Sequence, residues 1–266
     1  MLMTHCFNGS NINSPAMSYS IITYANNTLR KLFRFNVYQR DEWVRSIAGS
    51  ILPGARILDV GAGGAPYREL FSKATYQTQD FCQLRDDQLR FKAGYVKIDY
   101  VCDIVSIPLP AESFDAVLCT EVLEHVPEPT LALKEMIRLV KPGGHLFISA
   151  PLGSGLHQIP FHYYGGFTPY WYRRFAVQFG CEVRSIEANG GYQRFHAQEA
   201  LRFCIRSLPW NSEGGVFVRS SLLLLLPFSS FVALIAAIVG YWQNTQEINP
   251  DFTVGYHVVL EKKVTQ

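Results

Sequence analysis

The sequence predicts an α/β protein: a seven-stranded, mostly parallel sheet with helices on both faces and an apolar helical insertion between strands six and seven. Three observations carry this. Short apolar runs alternate with helix-periodic stretches through the middle of the 266-residue chain, the pattern of parallel strands joined by crossover helices. A glycine-rich turn, Asp59-Val60-Gly61-Ala62-Gly63-Gly64, closes the first of these runs. A 23-residue stretch from Ser220 to Trp242 carries no charge and splits the last two runs.

Taken in order, residues 1–20 are rich in Asn, Ser and Met, show no periodicity, and read as a flexible tail with no secretion signal. Residues 21–51 read as helix, with one stripe of Ile21, Ile22, Leu29, Leu32 and Phe33 and another of Trp43, Val44, Ile47 and Ile51. Pro53-Gly54 punctuates the chain. ARILDVGAG, ATYQTQDF, YVKIDYVCDI and FDAVLCTEVL are the first four strands. A helix from Pro129 to Val140 follows, with Leu131, Met136, Ile137 and Val140 as its buried positions; KPGG stops it, and HLFISAP is the fifth strand. Thr168-Pro169 starts the next helix, Thr as N-cap and Pro at the first helical position. That helix ends at Gly180; CEVRSIEA is the sixth strand and FTVGYHVVLEKK the seventh. The domain plan is a tail over 1–20, a main domain over 21–191, a helical insertion over 192–250, and a final strand of the same sheet within 251–266.

Composition narrows the function. Hydrophobic residues make up 48%, ample for a packed core. The net charge of +2 gives nucleic-acid binding little support. The charged fraction of 17% is low against about 25% for soluble domains, and the apolar insertion accounts for much of the difference. Six scattered cysteines without a CxxC pair read as buried, reduced thiols of a cytoplasmic protein.

Glycines at the end of a strand let the backbone approach a ligand. A dinucleotide fingerprint would need glycine at position 66, where this chain has proline, so a pyrophosphate cradle is disfavoured; no GK[ST] follows, which excludes a P-loop. Pro66 suits the first turn of a following helix. Asp80 closes the second strand 21 positions after Asp59, a spacing that places an acid on ribose hydroxyls, and Asp103 closes the third. The ends of adjacent parallel strands line one crevice, so these acids can share a ligand.

ILDVGAG, FDAVLCTEVLEHVPEP and LKEMIRLVKPGGHLFISAP together resemble the motifs of class I S-adenosylmethionine-dependent methyltransferases, in the group called type 11. The resemblance covers roughly residues 57–151 and implies a Rossmann-like sheet whose seventh strand runs antiparallel between the fifth and sixth. It implies S-adenosylmethionine as cofactor. Asp59, Gly61 and Gly63 would hold its methionine part, Asp80 the ribose, Asp103 and Ile104 the adenine, while Thr120 and Glu121 would line the pocket. Around Asp80 the chain departs from the usual glycine-acid pattern with TQDF. Tyr67 either caps the pocket or packs. The Glu124-His125 pair is usual in the family, so His125 serves as scaffold or takes part in chemistry directly.

The sulfonium methyl is already electrophilic, so the protein has to align a nucleophile and exclude water. A hydroxyl acceptor also benefits from a base such as histidine. The segment PLGSGLHQIPFHYYGGFTPYWY places His157, His162, Tyr163 and Tyr164 in a loop at the carboxyl edge of the sheet. Two histidines among aromatics predict a base and a stacking platform for a ring-shaped acceptor; packing of the loop is the alternative. The two histidines lack a clear third ligand, so no metal site is expected.

By length the 220–242 run qualifies as a membrane span. If strands six and seven pair, both ends of the insertion return to one side, and a single crossing is excluded. Pro227 favours a kink or break in the run. Three readings follow: a helix pair dipping into one leaflet, a homodimer surface, or a core lid over the substrate. The first implies a protein peripheral on the inner face of the membrane. It also implies a lipid-linked acceptor (glycan, polyprenyl or quinone precursor), methylated at a hydroxyl. Ring carbon or nitrogen methylation, and a non-catalytic cofactor-binding scaffold, are the alternatives.

Overall fold

The computed structural model describes residues 30–31, 33–89, 94–208, 214–243 and 251–264. The expected tail and the stripe residues Ile21, Ile22, Leu29 and Leu32 lie outside these. The elements are α1 (Phe35–Ser50), β1 (Arg56–Val60), β2 (Thr75–Asp80), β3 (Tyr100–Val101), β4 (Phe114–Thr120), α2 (Pro129–Leu139), β5 (Val140–Pro151), α3 (Pro169–Gln178), β6 (Cys181–Ala188), α4 (Tyr192–Arg206), α5 (Val216–Gln243) and β7 (Gly255–Lys262).

The seven strands form one sheet in the order β3-β2-β1-β4-β5-β7-β6. The first five strands pair in parallel. β7 runs antiparallel between β5 and β6. The two-residue period of a strand sorts the core into two layers. Along β4, Val117 and Cys119 face the layer that contains Leu133 and Met136 of α2 and Tyr172 of α3. Ala116 and Leu118 face the layer of Val44 and Ile47 of α1, with Tyr67 and Phe71.

Several expectations change in detail. The β1–β2 connection holds only a 3-10 turn, Arg68–Phe71, where a helix was expected after Pro66. The glycine turn, extended by Ala65 at φ +45, takes the start of the connection, and the residues left before β2 are too few to repay the cost of nucleating a longer helix. The third strand shrinks to two residues. In α2, Ala132 and Leu133 are buried in place of Leu131, which is exposed. Val140 already belongs to β5, and KPGG is an irregularity inside that strand, marked by a register shift against Phe114 and Ala116 of β4. Thr168 caps α3, accepting from the Trp171 amide at 3.4 Å, and Gly180 ends it with φ +82. Cys119 and Cys181 are buried thiols, whereas Cys82, Cys102 and Cys204 are only partly so.

The apolar run forms one continuous helix through Pro227, whose ring lies on the exposed side. Of the kink or break expected at Pro227, a break does not occur. α5 packs antiparallel on α4 through small residues: a Cβ on Gly240 would lie 3.0 Å from the Gln193 carbonyl oxygen and 3.2 Å from Ala197 Cβ. At the other end of the pair, Cys204 Sγ lies 3.5 Å from Ser230 Oγ. Ala233, Ala236 and Ala237 complete the buried stripe. Val216, Phe217, Leu224, Phe228, Phe231 and Trp242 are each more than half exposed. The run is therefore neither a core element nor two apolar helices.

Candidate functional site

The carboxyl ends of β1, β2, β4 and β5 open into a cavity of about 1220 Å³. One end is built on the glycine turn. Gly61 has φ +68 and Gly63 φ +53, values that disfavour any side chain. A Cβ on Gly61 would collide with Val122 at 2.4 Å. Gly64 is different, because a Cβ there would meet nothing nearer than 3.8 Å. Packing within the protein leaves room at Gly64, so the bare backbone serves the open cleft, as a cofactor cradle requires.

Asp59 and Asp80 are buried at the strand ends and line this cavity. Tyr76 donates its hydroxyl hydrogen to Asp59. Burial pushes the Asp59 carboxyl up to about 7, against the pull of the Tyr76 hydrogen bond. Asp80 accepts from the Gly63 amide at 2.9 Å and the Cys82 amide at 2.8 Å, one on each oxygen. The Tyr95 hydroxyl also donates to this carboxyl. Burial raises its pKa, and these amides oppose the rise. The acid thus holds the glycine turn in place at the position expected for ribose. Asp103, Ile104, Thr120 and Glu121 also line the cavity. Glu121, at φ +55, accepts from Ser149 Oγ at 2.8 Å and pairs with Arg40 at 3.4 Å. The donor set fits S-adenosylmethionine: buried carboxylates for an ammonium and a diol, and exposed backbone beside them.

The other end of the cavity is roofed by the loop after β5. Tyr163 and Tyr164 amides both donate to the Glu124 carbonyl, at 2.9 and 3.2 Å. Gln158 Nε2 donates to the Gln88 carbonyl at 2.8 Å, and Phe161 packs edge-on against Phe81. The loop so fastened brings His157 within 4.7 Å of His125 and 4.5 Å of His162, measured between ring centres. His125 therefore supplies the third imidazole that the sequence seemed to lack. His125 Nδ1–H donates to the Phe161 carbonyl. Burial lowers the His125 pKa to about 4, with the two neighbouring imidazoles adding to the effect and the Phe161 carbonyl opposing it. Burial also lowers His162. An imidazole at about 4 is a weak base at neutral pH.

His125, His157 and Tyr163 line the cavity; His162, Tyr67 and Tyr164 do not. Tyr67 lies in the α1 layer and its hydroxyl reaches Asp41 at 3.1 Å, so it packs and does not cap the pocket. Tyr164 turns away to donate to the Pro127 carbonyl at 2.9 Å. Of the two tyrosines, Tyr163 is the one that lines the cavity.

The structure adds residues that the sequence reading missed. Arg40 of α1 is buried against Glu121, and Gln198, Arg202, Phe203 and Arg206 of α4 form a wall of the cavity. Arg40 had a signal: it precedes Val44 and Ile47 at helical spacing, a charge on an apolar stripe. The α4 residues had none, because their position depends on how the insertion folds back.

A β3-β2-β1-β4-β5-β7-β6 sheet with its ligand cleft at the carboxyl ends is the class I methyltransferase fold. The fold is shared with the [4+2]-cyclase SpnF (18% identity, TM-score 0.51, covering 85% of this chain and 81% of that one). It is also shared with a provisionally assigned sarcosine dimethylglycine methyltransferase from Galdieria sulphuraria (16% identity, TM-score 0.51, 86% of each chain). Residues 58–148 match the family Methyltransf_11, described as a methyltransferase domain, so this stretch is a methyltransferase domain and S-adenosylmethionine is its cofactor. Among curated relatives, the chain is 42% identical over 105 residues to a ubiquinone biosynthesis O-methyltransferase of Xanthomonas oryzae pv. oryzae, covering 37% of this chain and 44% of that protein. It is 37% identical over 131 residues to the protein of the same name in Ralstonia nicotianae, covering 47% and 53%. The chain thus spans about half the length of the curated relatives it matches.

Proposed function

We propose that this chain is an S-adenosylmethionine-dependent O-methyltransferase whose acceptor is a lipid-linked compound of quinone type, methylated at the inner face of the membrane. The observation that carries the reading is the single cavity in which the glycine turn and its acids face a histidine- and tyrosine-lined loop. The names of the curated relatives support the acceptor class.

The chemistry asked of the chain is modest. Asp59, Asp80 and the glycine turn fix the methyl donor, which carries its own electrophilic carbon. The loop brings Tyr163 to stack a ring and His157 to take the hydroxyl proton as the oxygen attacks.

The exposed face of α5 supports the membrane part. Its 28 residues hold one charge, Arg219, and the apolar side chains run along its whole length. β6 and β7 pair directly, which favours a helix lying along a membrane over one that crosses it. Two measurements test the proposal. Tritium-methyl transfer from labelled cofactor into cell extract should put label in the lipid fraction; label confined to protein or nucleic acid overturns the acceptor. Flotation with anionic liposomes should carry the chain upward, and Leu224→Glu with Phe228→Glu should leave it at the bottom. A wild-type chain that never floats at low salt overturns the membrane part, and a dimer dissociated by the same double variant would assign the face to a second copy.

A further inference from the structure

The three imidazoles at the roof of the cleft are arranged for more than packing. One ring nitrogen from each of His125, His157 and His162 lies within 4.8 Å of the other two. Their hydrogen bonds also set the protons. A carbonyl oxygen only accepts, so the contact of His125 Nδ1 with the Phe161 carbonyl and that of His157 Nδ1 with the Gly155 carbonyl at 2.9 Å both put the proton on Nδ1. In each ring Nε2 is left without a hydrogen-bond partner, the Nε2 of His125 lying 3.7 Å from the buried Glu124 carboxyl. A backbone carbonyl behind the distal nitrogen is the usual support of a metal-binding histidine. The third ring is the second, independent sign: neither nitrogen of His162 has a hydrogen-bond partner, although both are shielded from solvent. Shielded ring nitrogens without partners cost free energy unless something fills the lone pair.

We propose that His125, His157 and His162 bind one divalent transition-metal ion of the zinc type, with its open coordination position facing the acceptor end of the cavity. Three neutral nitrogens are a donor set for zinc, cobalt or nickel and a poor one for magnesium. Zinc–nitrogen bonds of about 2.0–2.1 Å in a tetrahedral site hold nitrogens roughly 3.4 Å apart. The rings must therefore close by up to about 1.4 Å. His157 can do so: it is exposed, and a Cβ on either nearby glycine, Gly153 or Gly155, would meet nothing within 4 Å. His125 and His157 line the cavity and His162 stands behind them, so the side of the ion without a protein ligand faces the cleft. An acceptor oxygen can take that position, and in that state the Nε2 of His157 is a ligand and not the base that takes the hydroxyl proton. This last point rests on the methyltransferase reading, whereas the metal site does not.

The test uses the untagged full chain. Zinc chloride is titrated by calorimetry without methyl donor or acceptor, and cobalt is followed by its visible absorption. One ion per chain is expected, with an intense low-coordinate cobalt spectrum and no displacement by excess magnesium. His157→Gln, on the exposed loop, and His162→Gln should each weaken zinc by about tenfold or more, with thermal melting of the metal-free proteins reporting that both are folded. A simple catechol should shift the cobalt spectrum of the wild type. Zinc binding absent from the wild type, or unchanged in both variants, overturns the site; a cobalt spectrum insensitive to catechol overturns the open position. Methyl transfer by the metal-free chain would leave the proposed function standing while removing any role for the ion in it.

Discussion

Replacing Gly61 by alanine tests whether the glycine turn is shaped by backbone angle, by a neighbour, or by both. The φ of +68 carries a cost for any L side chain, about 1–2 kcal/mol. The added methyl would also stand 2.4 and 2.8 Å from the two γ carbons of Val122, an overlap worth about 1–3 kcal/mol when it must be accommodated. Gly61→Ala should therefore destabilise by about 2–5 kcal/mol. Val122→Ala removes both methyls and leaves its Cβ at 3.2 Å, a contact that a few tenths of an ångström relieve. The double variant keeps the angle cost and loses the collision. It should be more stable than the sum of the single variants by about 1–3 kcal/mol. Urea unfolding of the four proteins measures this, provided the slope stays constant. Additivity within about 0.5 kcal/mol would refute the collision and leave backbone angle as the whole reason for glycine.

Three further predictions concern charge. With Asp59 held at about 7 in the free chain, a cofactor ammonium beside it should drive off its proton. Binding of S-adenosylhomocysteine at pH 7 should then release roughly half a proton, seen as a heat that differs between phosphate and Tris, and Asp59→Asn should abolish the difference. His257 of β7 stacks on Trp43 at 4.6 Å, and burial lowers its pKa from 6.5 to about 4. The unfolded chain takes up that proton first, so stability should fall as pH drops from about 6.5 to about 4, by at most about 3 kcal/mol, and His257→Phe should remove this part of the slope in urea titrations. Arg40→Met should destabilise by about 2–3 kcal/mol by leaving Glu121 without its partner, and Arg40→Met with Glu121→Gln should recover about half of that loss; equal losses in the single and double variants would exclude the pairing as the cause.

The fold and the cofactor end of the site were legible because their signals are local. Strand period, the DVGAG turn and the terminal acids Asp59 and Asp80 are each set by a few neighbouring residues. The acceptor end was legible only as a list of residue types. Whether Tyr163 or Tyr164 faces the cleft depends on two amides that share the Glu124 carbonyl. Whether His157 and His162 have a third companion depends on a loop crossing from β5 back to the end of β4. Pro227 misled for a related reason: a proline breaks a helix through a lost hydrogen bond and a clash, and α5 runs on through it with the ring turned outward.

The place of β7 has a consequence for the order in which the protein is made. β7 lies inside the sheet, between β5 and β6, yet follows α5 in the chain. While the chain is growing, the apolar helix leaves the ribosome before the strand that ties both of its ends to one side. For that interval nothing in the sheet forbids α5 from entering a bilayer end-on. On the membrane reading proposed above, the pairing of eight residues, Gly255–Lys262, is what would commit the helix to the surface. A slow β7, or a variant that weakens its pairing, should give a population caught across the membrane and protected from protease on the wrong side.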